Sequence, residues 1–132
     1  MALTELLDSN VIPKTITAYA RDETIFTPGD ASDHVLYIKT GGVKLSLVSG
    51  AGEEAVVAVL GPGDFFGEGC LAGQPIRVGT ATAVTPSLIL LIDKARMVRL
   101  LHDRRALSDW FVAHLLARHV SLLQDTIHLL DD

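Results

Sequence analysis

The sequence of 132 residues is 48% hydrophobic and 20% charged, which suits one folded domain with a buried core rather than a disordered chain. Its 11 basic and 16 acidic residues give a formal net charge of −5, which disfavours nucleic-acid binding by this chain alone because no surplus of cations can displace counterions. No apolar run reaches the ~18 residues of a membrane span and the N-terminus lacks a signal-peptide pattern, so we expect a cytoplasmic protein without a membrane partner.

Most of the chain has the pattern of an all-β domain. A short helix is predicted first, at Thr4 to Leu7, and short runs rich in Val, Ile, Thr and Tyr follow it. Turn signals such as Gly61-Pro62-Gly63-Asp64 separate these runs at spacings of about 8–12 residues, which is typical of an antiparallel barrel or sandwich. The predicted strands cover residues 14–19, 24–28, 35–39, 43–48, 54–60, 80–84 and 87–92.

The pattern becomes helical after Ile92. Asp93 can cap a short helix that continues through Leu101. The segment from Leu107 to Leu130 contains neither Gly nor Pro, which predicts one long C-terminal helix.

Two apolar stripes run along the long helix. One repeats like a heptad seam and comprises Ala113, Leu116, Val120, Leu123, Ile127 and Leu130. The other comprises Phe111, Leu115, Leu122 and Leu129. We expect one stripe to pack on the β domain and the other on the same helix of a second subunit, forming a homodimer. The alternative is a single wide stripe buried within a monomer.

The stretch Gly63–Thr82, GDFFGEGCLAGQPIRVGTAT, combines glycines with an acid and an arginine. Gly67 allows close backbone approach to a ligand, and Arg77 offers a fixed positive fork that suits a phosphate. Glu68 is suited to accept hydrogen bonds from sugar hydroxyls. The combination points to a ligand that carries both a phosphate and a ribose. The alternative is an internal Glu68–Arg77 ion pair that closes the loop.

This stretch resembles the phosphate-binding cassette of cyclic nucleotide-binding domains, in which Phe-Gly-Glu precedes an arginine and small residues. The matching positions are Phe66, Gly67, Glu68, Leu71, Arg77 and Thr80, and further similarity lies in the segments 26–30, 37–44 and 61–68. More narrowly, the chain resembles the sensor half of a Crp/Fnr-family transcription regulator. That resemblance implies a mainly β fold, an antiparallel, jelly-roll-like β-roll over residues 1–106, followed by a long dimerisation helix over 107–132.

The resemblance also implies roles for individual residues. Arg77 would pair with the cyclic phosphate of cAMP or cGMP, with help from backbone N–H groups near Glu68 and Val78. Glu68 would accept from the ribose 2′-hydroxyl, and Gly67 would line the sugar. The implied ligand-binding set is Phe66, Gly67, Glu68, Gly69, Arg77, Val78 and Gly79, with no metal. DNA would be bound only through a helix-turn-helix domain absent from this chain. We expect a sensor domain cut from a longer regulator, and the alternative is a natural stand-alone module.

Four positions depart from the family pattern. Val78 lies where cyclic nucleotide-responsive members often carry Ser, Thr or Ala, and Gly79 replaces the usual Ala. Leu122 and Leu123 fall where hydroxyl residues would face the base. The phosphate and ribose half of the site therefore matches the pattern better than the base-reading half.

Two other functions remain as alternatives. One is a ligand-free structural and dimerisation module with a degenerate nucleotide pocket. The other is an enzyme, which we do not expect, because the five histidines are scattered without metal-ligand spacing. The single cysteine, Cys70, also excludes an internal disulfide and a four-thiolate iron–sulfur cluster within one chain.

Overall fold

The computed structural model describes residues 14–131. The predicted helix at Thr4 to Leu7 lies outside the described residues. The described chain divides into one unit that runs through Met97 and a second that starts at Val98. The predicted division between residues 106 and 107 stays a prediction.

Within residues 14–131, eight strands form two four-stranded antiparallel sheets, which confirms the predicted mainly β roll with C-terminal helices. The strand order is β1-β8-β3-β6 in one sheet and β2-β7-β4-β5 in the other. The strands are β1 Thr15–Tyr19, β2 Thr24–Phe26, β3 His34–Thr40, β4 Val43–Val48, β5 Glu54–Leu60, β6 Phe65–Phe66, β7 Thr80–Ala83 and β8 Ser87–Asp93.

The centre of the first sheet supplies much of the core. Four consecutive residues of β3, Val35 to Ile38, are all buried, so both faces of this strand are covered. The neighbouring strand β8 adds Ile89, Leu90 and Ile92, each fully buried. Burial of one such side chain contributes about 1.5–3 kcal/mol.

Strand β6 is the element that the predicted strands omit. It contains only Phe65 and Phe66, pairs with Leu36 and Tyr37 of β3, and follows the Gly61–Asp64 turn directly. Two residues are too few to show an alternating pattern, so the sequence offered no periodic signal. A 3₁₀ helix, Glu68–Ala72, comes next and fits the short helix or turn expected after Gly67.

The two helices predicted after Ile92 are confirmed. Helix α1 covers Lys94–Asp103, and the carboxylate of Asp93 caps it by accepting a hydrogen bond from Arg96 N–H at 3.1 Å. Helix α2 covers Arg105–Asp131, two residues longer at its start than predicted. No described helix combines the length and apolarity that a membrane span requires.

Helix α2, considered by itself, leaves its predicted seam open to solvent. The seam side chains Leu116, Val120, Leu123 and Ile127 are 59%, 51%, 51% and 57% exposed. Leu107 and Phe111, on another face of the same helix, are buried. The dimer contact and the packing of the second stripe on the β domain stay predictions.

Candidate functional site

A pocket of about 290 Å³ lies in the unit that runs through Met97. Its wall is mostly apolar, and its two ionisable side chains are Glu68 and Arg77. Strands β2, β4 and β5 and the segment after β6 form the wall. The lining residues are Phe26, Ser32, Leu45, Ser46, Leu47, Val57, Gly67, Glu68, Gly69, Gln74, Ile76, Arg77, Val78, Gly79 and Thr80.

Arg77 is the most constrained charged side chain of this pocket. The residue is only 7% exposed, although it carries a full positive charge. Its Nη1 donates to the carbonyl oxygen of Gly67 at 2.7 Å, and its Nη2 donates to that of His34 at 2.8 Å. The guanidinium carbon lies 4.4 Å from the centre of the Phe26 ring. Neutral carbonyls and an aromatic face therefore hold the guanidinium, and none of them cancels its charge.

The burial of Arg77 has an electrostatic cost. Burial lowers the pKa of the Arg77 side chain, while the negative charges of the nearby Asp33 and Glu68 favour its charged form. The ordinary pKa of arginine is so high that the side chain stays charged at neutral pH. An anionic ligand that enters the pocket meets a cation that is already partly stripped of water.

The backbone of Arg77 is held as firmly as its side chain. Its N–H donates to Asp30 O at 2.8 Å, and its carbonyl accepts from Gly29 N–H at 2.9 Å. Both partners belong to the turn that follows Phe26. The turn is closed by the Asp30 carboxylate, which accepts from Thr27 N–H at 3.0 Å. Position 77 is therefore fixed by a segment almost fifty residues earlier in the chain.

Gly67 is required at its position for two reasons. Its φ of 74° lies in the left-handed region, which favours glycine. A Cβ built there would approach both Arg77 Nη1 and Leu36 Cδ1 to 2.7 Å. At Gly79 a Cβ would lie 3.0 Å from Ser46 O, so this position is also tight. Small residues on either side of Arg77 thus allow the cassette to lie close to the sheet.

The structure brings together most of the predicted ligand-binding residues. Gly67, Glu68, Gly69, Arg77, Val78 and Gly79 all line the pocket. Glu68 is half-buried, and Val78 is 65% exposed. Phe66 does not line the pocket, because its side chain is fully buried in the core against Phe26, with ring centres 6.0 Å apart.

Sequence reasoning assigned no site role to several residues that the fold brings to the pocket. Phe26 arrives on β2, while Leu45, Leu47 and Val57 arrive on β4 and β5. The His34 carbonyl is a further contact of Arg77. Among these residues only Phe26 had a sequence signal, because it lies in the segment 26–30 that resembles cyclic nucleotide-binding domains. Leu122 and Leu123 lie on α2, in the other unit, and their base-facing role stays a prediction.

The alternative in which a Glu68–Arg77 pair closes the loop does not describe how Arg77 is anchored. Its side-chain hydrogen bonds go to two carbonyl oxygens, and neither goes to the Glu68 carboxylate. The two charged side chains also fit a sugar phosphate, because a fixed cation that donates and a carboxylate that accepts line one mostly apolar wall.

Cys70 packs beside the two carbonyl groups that hold the Arg77 side chain. It is fully buried, and its thiol lies 3.7 Å from His34 O and 3.6 Å from Gly67 O, the two carbonyls that accept from Arg77. Burial raises the pKa of the Cys70 thiol. The residue therefore remains a protonated packing side chain rather than a reactive thiolate. In the described part of the chain, no cluster of His, Cys, Asp or Glu could hold a metal ion.

Comparison with known proteins agrees with the geometry. The family model described as "Cyclic nucleotide-binding domain" matches residues 16–104. The global nitrogen regulator of Synechocystis sp. is 36% identical over 104 residues, which are 77% of this chain and 46% of that protein. The CRP-like cAMP-activated global transcriptional regulator of Mycobacterium tuberculosis is 28% identical over 91 residues, 69% of this chain and 41% of that protein.

Among solved structures, the catabolite activator protein of Thermus thermophilus is similar, with a TM-score of 0.72 and 29% identity. The match covers 89% of this chain and 55% of that one. The chain spans about half the length of the regulators that it matches. The resemblance to the sensor half of Crp/Fnr regulators is confirmed by these matches.

Proposed function

Because the chain belongs to the cyclic nucleotide-binding domain family, we propose that the pocket beside Arg77 binds a cyclic nucleotide, cAMP or cGMP. The observation that carries the proposal is the buried guanidinium at 77, which two neutral carbonyls hold in the pocket wall. A cation that lacks neutralising hydrogen-bond partners at those sites is suited to receive a phosphate.

Each part of the ligand has a matching part of the wall. Arg77 and the backbone N–H groups near Glu68 and Val78 would hold the cyclic phosphate. Glu68, half-buried on the same wall, would accept from the ribose 2′-hydroxyl, next to Gly67. The base would meet mainly apolar side chains, with Leu122 and Leu123 of α2 as further proposed contacts.

The larger role we propose is that of a sensor and dimerisation part of a Crp/Fnr-type transcription regulator, without catalytic activity. The exposed seam of α2 would pair two subunits. A ligand that prefers one packing of the paired helices shifts the population toward that packing. DNA would be bound through a domain outside this chain, whose spacing the helices set.

Calorimetric titration with cAMP, cGMP and cyclic di-GMP tests the proposal. We expect binding of a cyclic mononucleotide, and stabilisation against unfolding by about 2.7 kcal/mol at a ligand concentration of 100 times Kd. Replacing the charged donor in Arg77→Gln should weaken binding by about 10- to 100-fold. Arg99→Gln, at an exposed arginine of α1, is the matched control and should leave affinity unchanged.

A different result would favour the ligand-free dimerisation module. In that case no nucleotide produces heat at millimolar concentration or raises the melting temperature. Arg77→Gln would then lower only stability, because the His34 and Gly67 carbonyls lose their buried donors. The exposed seam of α2 is the observation that supports this second candidate.

A further inference from the structure

We propose that Phe26 is the positioning residue for Arg77: its ring fixes the guanidinium in the orientation that presents the remaining N–H groups to an anionic ligand. The inference deepens the proposed function and rests on it for its ligand. Phe26 lies on β2, opposite Ala81 of β7, and therefore reaches the pocket from outside the cassette segment.

The geometry of the guanidinium carries the argument. The group is flat, with two faces and an edge that bears five N–H donors. The Phe26 ring lies against it at 4.4 Å, within the range of a cation–π contact. Two N–H groups are directed to Gly67 O and His34 O. With the ring and two carbonyls in place, the position of every other donor is determined.

At least one of the remaining donors, the Arg77 Nε–H, is not fully buried. In the described part of the chain, no buried side-chain nitrogen or oxygen lacks a hydrogen-bond partner. The two hydrogen bonds of Arg77 use Nη1 and Nη2, so Nε–H and the second proton on each Nη are the donors left for a ligand. Arg77 itself lines the pocket, which is where such a ligand would lie.

Phe26 is itself rigidly placed, as a positioning residue must be. It pairs with Ala81 in β7, beside a bulge in β2, and its ring packs on the fully buried Phe66 at 6.0 Å and 34°. The turn immediately after it holds the backbone of Arg77 at both Asp30 O and Gly29 N–H. The same short segment therefore fixes Arg77 through its main chain and through its side chain.

The experiment compares three substitutions in the whole chain. Phe26→Leu removes the ring, and Phe26→Tyr retains it. Phe65→Leu removes another fully buried ring, one that packs on Tyr37 at 5.0 Å, and so controls for damage to the core. Two quantities are measured: the affinity for the cyclic mononucleotide that wild type binds most tightly, and the proton chemical shift of the Arg77 Nε–H group without nucleotide.

We expect Phe26→Leu to weaken binding about tenfold, because both the cation–π contact and the fixed orientation are lost. Phe26→Tyr and Phe65→Leu should bind within about twofold of wild type. In wild type the ring current of Phe26 should move the Arg77 Nε–H resonance upfield, and only Phe26→Leu should abolish that displacement. If Phe26 served only to pack the core, Phe26→Leu would leave the Arg77 Nε–H resonance unchanged.

Other outcomes overturn the inference. Equal losses of affinity in Phe26→Leu and Phe65→Leu would show a general core effect, and an Arg77 resonance that does not change in Phe26→Leu would show that the ring does not orient the group. Should Phe26→Leu fail to fold, the wild-type resonance decides, since no upfield displacement means no stacking. If wild type binds no nucleotide, only the proposed function is wrong. The Arg77 resonance then still tests whether the Phe26 ring orients the guanidinium.

Discussion

The apolar side chains of the β-roll and those of helix α2 differ sharply in exposure. In the roll, Ile38, Phe65 and Ile89 are fully buried. On α2, Leu116 and Ile127 are 59% and 57% exposed, although they are equally apolar. The roll therefore buries its own core within one chain, whereas the helix carries an apolar seam that the described chain leaves uncovered. The difference makes the helix, rather than the roll, the region on which a test of subunit contact is best placed.

The roll also has exposed apolar side chains at one edge of a sheet. Strand β5 lies at the edge of its sheet, and its residues Val56 and Val59 are 53% and 69% exposed. The neighbouring Val57 lines the pocket. The comparison with α2 therefore holds for the buried centre of the first sheet, and less well for this edge.

The largest expected effect concerns the seam. Leu116→Lys combined with Leu123→Lys should convert a dimer into a monomer and raise the dimer Kd at least about 1000-fold. Four apolar side chains per dimer would lose their burial, each worth about 1.5–3 kcal/mol. Sedimentation equilibrium at micromolar concentration measures the mass, and near-ultraviolet circular dichroism should show the roll unchanged.

The matched control places the same charges on the same helix away from the seam. Ala117→Lys combined with Ser121→Lys changes two exposed positions that lie outside the repeat. This variant should remain dimeric. A wild-type chain that sediments as a monomer, or a control that dissociates as readily as the seam variant, would contradict the proposed use of this surface.

The second expected effect is smaller and concerns the stability of the roll alone. Gly67→Ala should reduce the free energy of unfolding by about 3 kcal/mol, because it combines a positive φ with collisions against Arg77 and Leu36. Gly73→Ala shares the positive φ, 87°, but its Cβ would meet nothing within 4 Å. That control should cost only about 1 kcal/mol. Urea unfolding gives both values.

The same pair sharpens the comparison between the two regions. Both glycine variants should keep the wild-type mass in sedimentation, since the seam of α2 is untouched. Equal losses of stability at 67 and 73 would mean that the backbone conformation alone matters, and that the close approach of Gly67 to Arg77 contributes nothing.

Much of the fold could be predicted because its signals are local. Strands β4 and β5 have the predicted bounds, since each apolar run ends at a glycine-rich turn. Helix α2 was recognisable from a long segment free of Gly and Pro. Strand β6 was not, because Phe65 and Phe66 form a strand only through pairing with β3, a partner distant in sequence.

The site residues divide in the same way, into those that a local pattern could identify and those that it could not. Gly67, Glu68 and Arg77 lie close together in one segment, so the chemistry of their side chains could be inferred from spacing. Phe26 and the His34 carbonyl contact Arg77 only after the sheets have formed, through pairings such as Phe26 with Ala81. Which carbonyls a buried arginine reaches depends on those long-range pairings, and no local pattern encodes it.

The smallest expected effect lies on the exposed hairpin of β4 and β5, where the Lys44 ammonium lies 3.0 Å from the Glu54 carboxylate. The hydrogen bond from Lys44 lowers the pKa of Glu54. The stabilisation from this pair is therefore present above the ordinary pKa of a glutamate and is lost as pH falls through the lowered value in the folded protein. Surface pairs contribute little, so Glu54→Gln should be almost neutral at pH 7.

The measurement is the difference in urea midpoint between wild type and Glu54→Gln, followed from neutral to acidic pH. A small difference should be present at neutral pH and vanish in acid, because protonated Glu54 resembles glutamine. In a Lys44→Met background the same Glu54→Gln change should show no such trend, because the hydrogen-bond partner of Glu54 is gone. A difference that grows as pH falls would mean that Glu54 is stabilised in its protonated form. The hairpin would then resemble the buried interior of the roll more than the solvent-exposed face of α2.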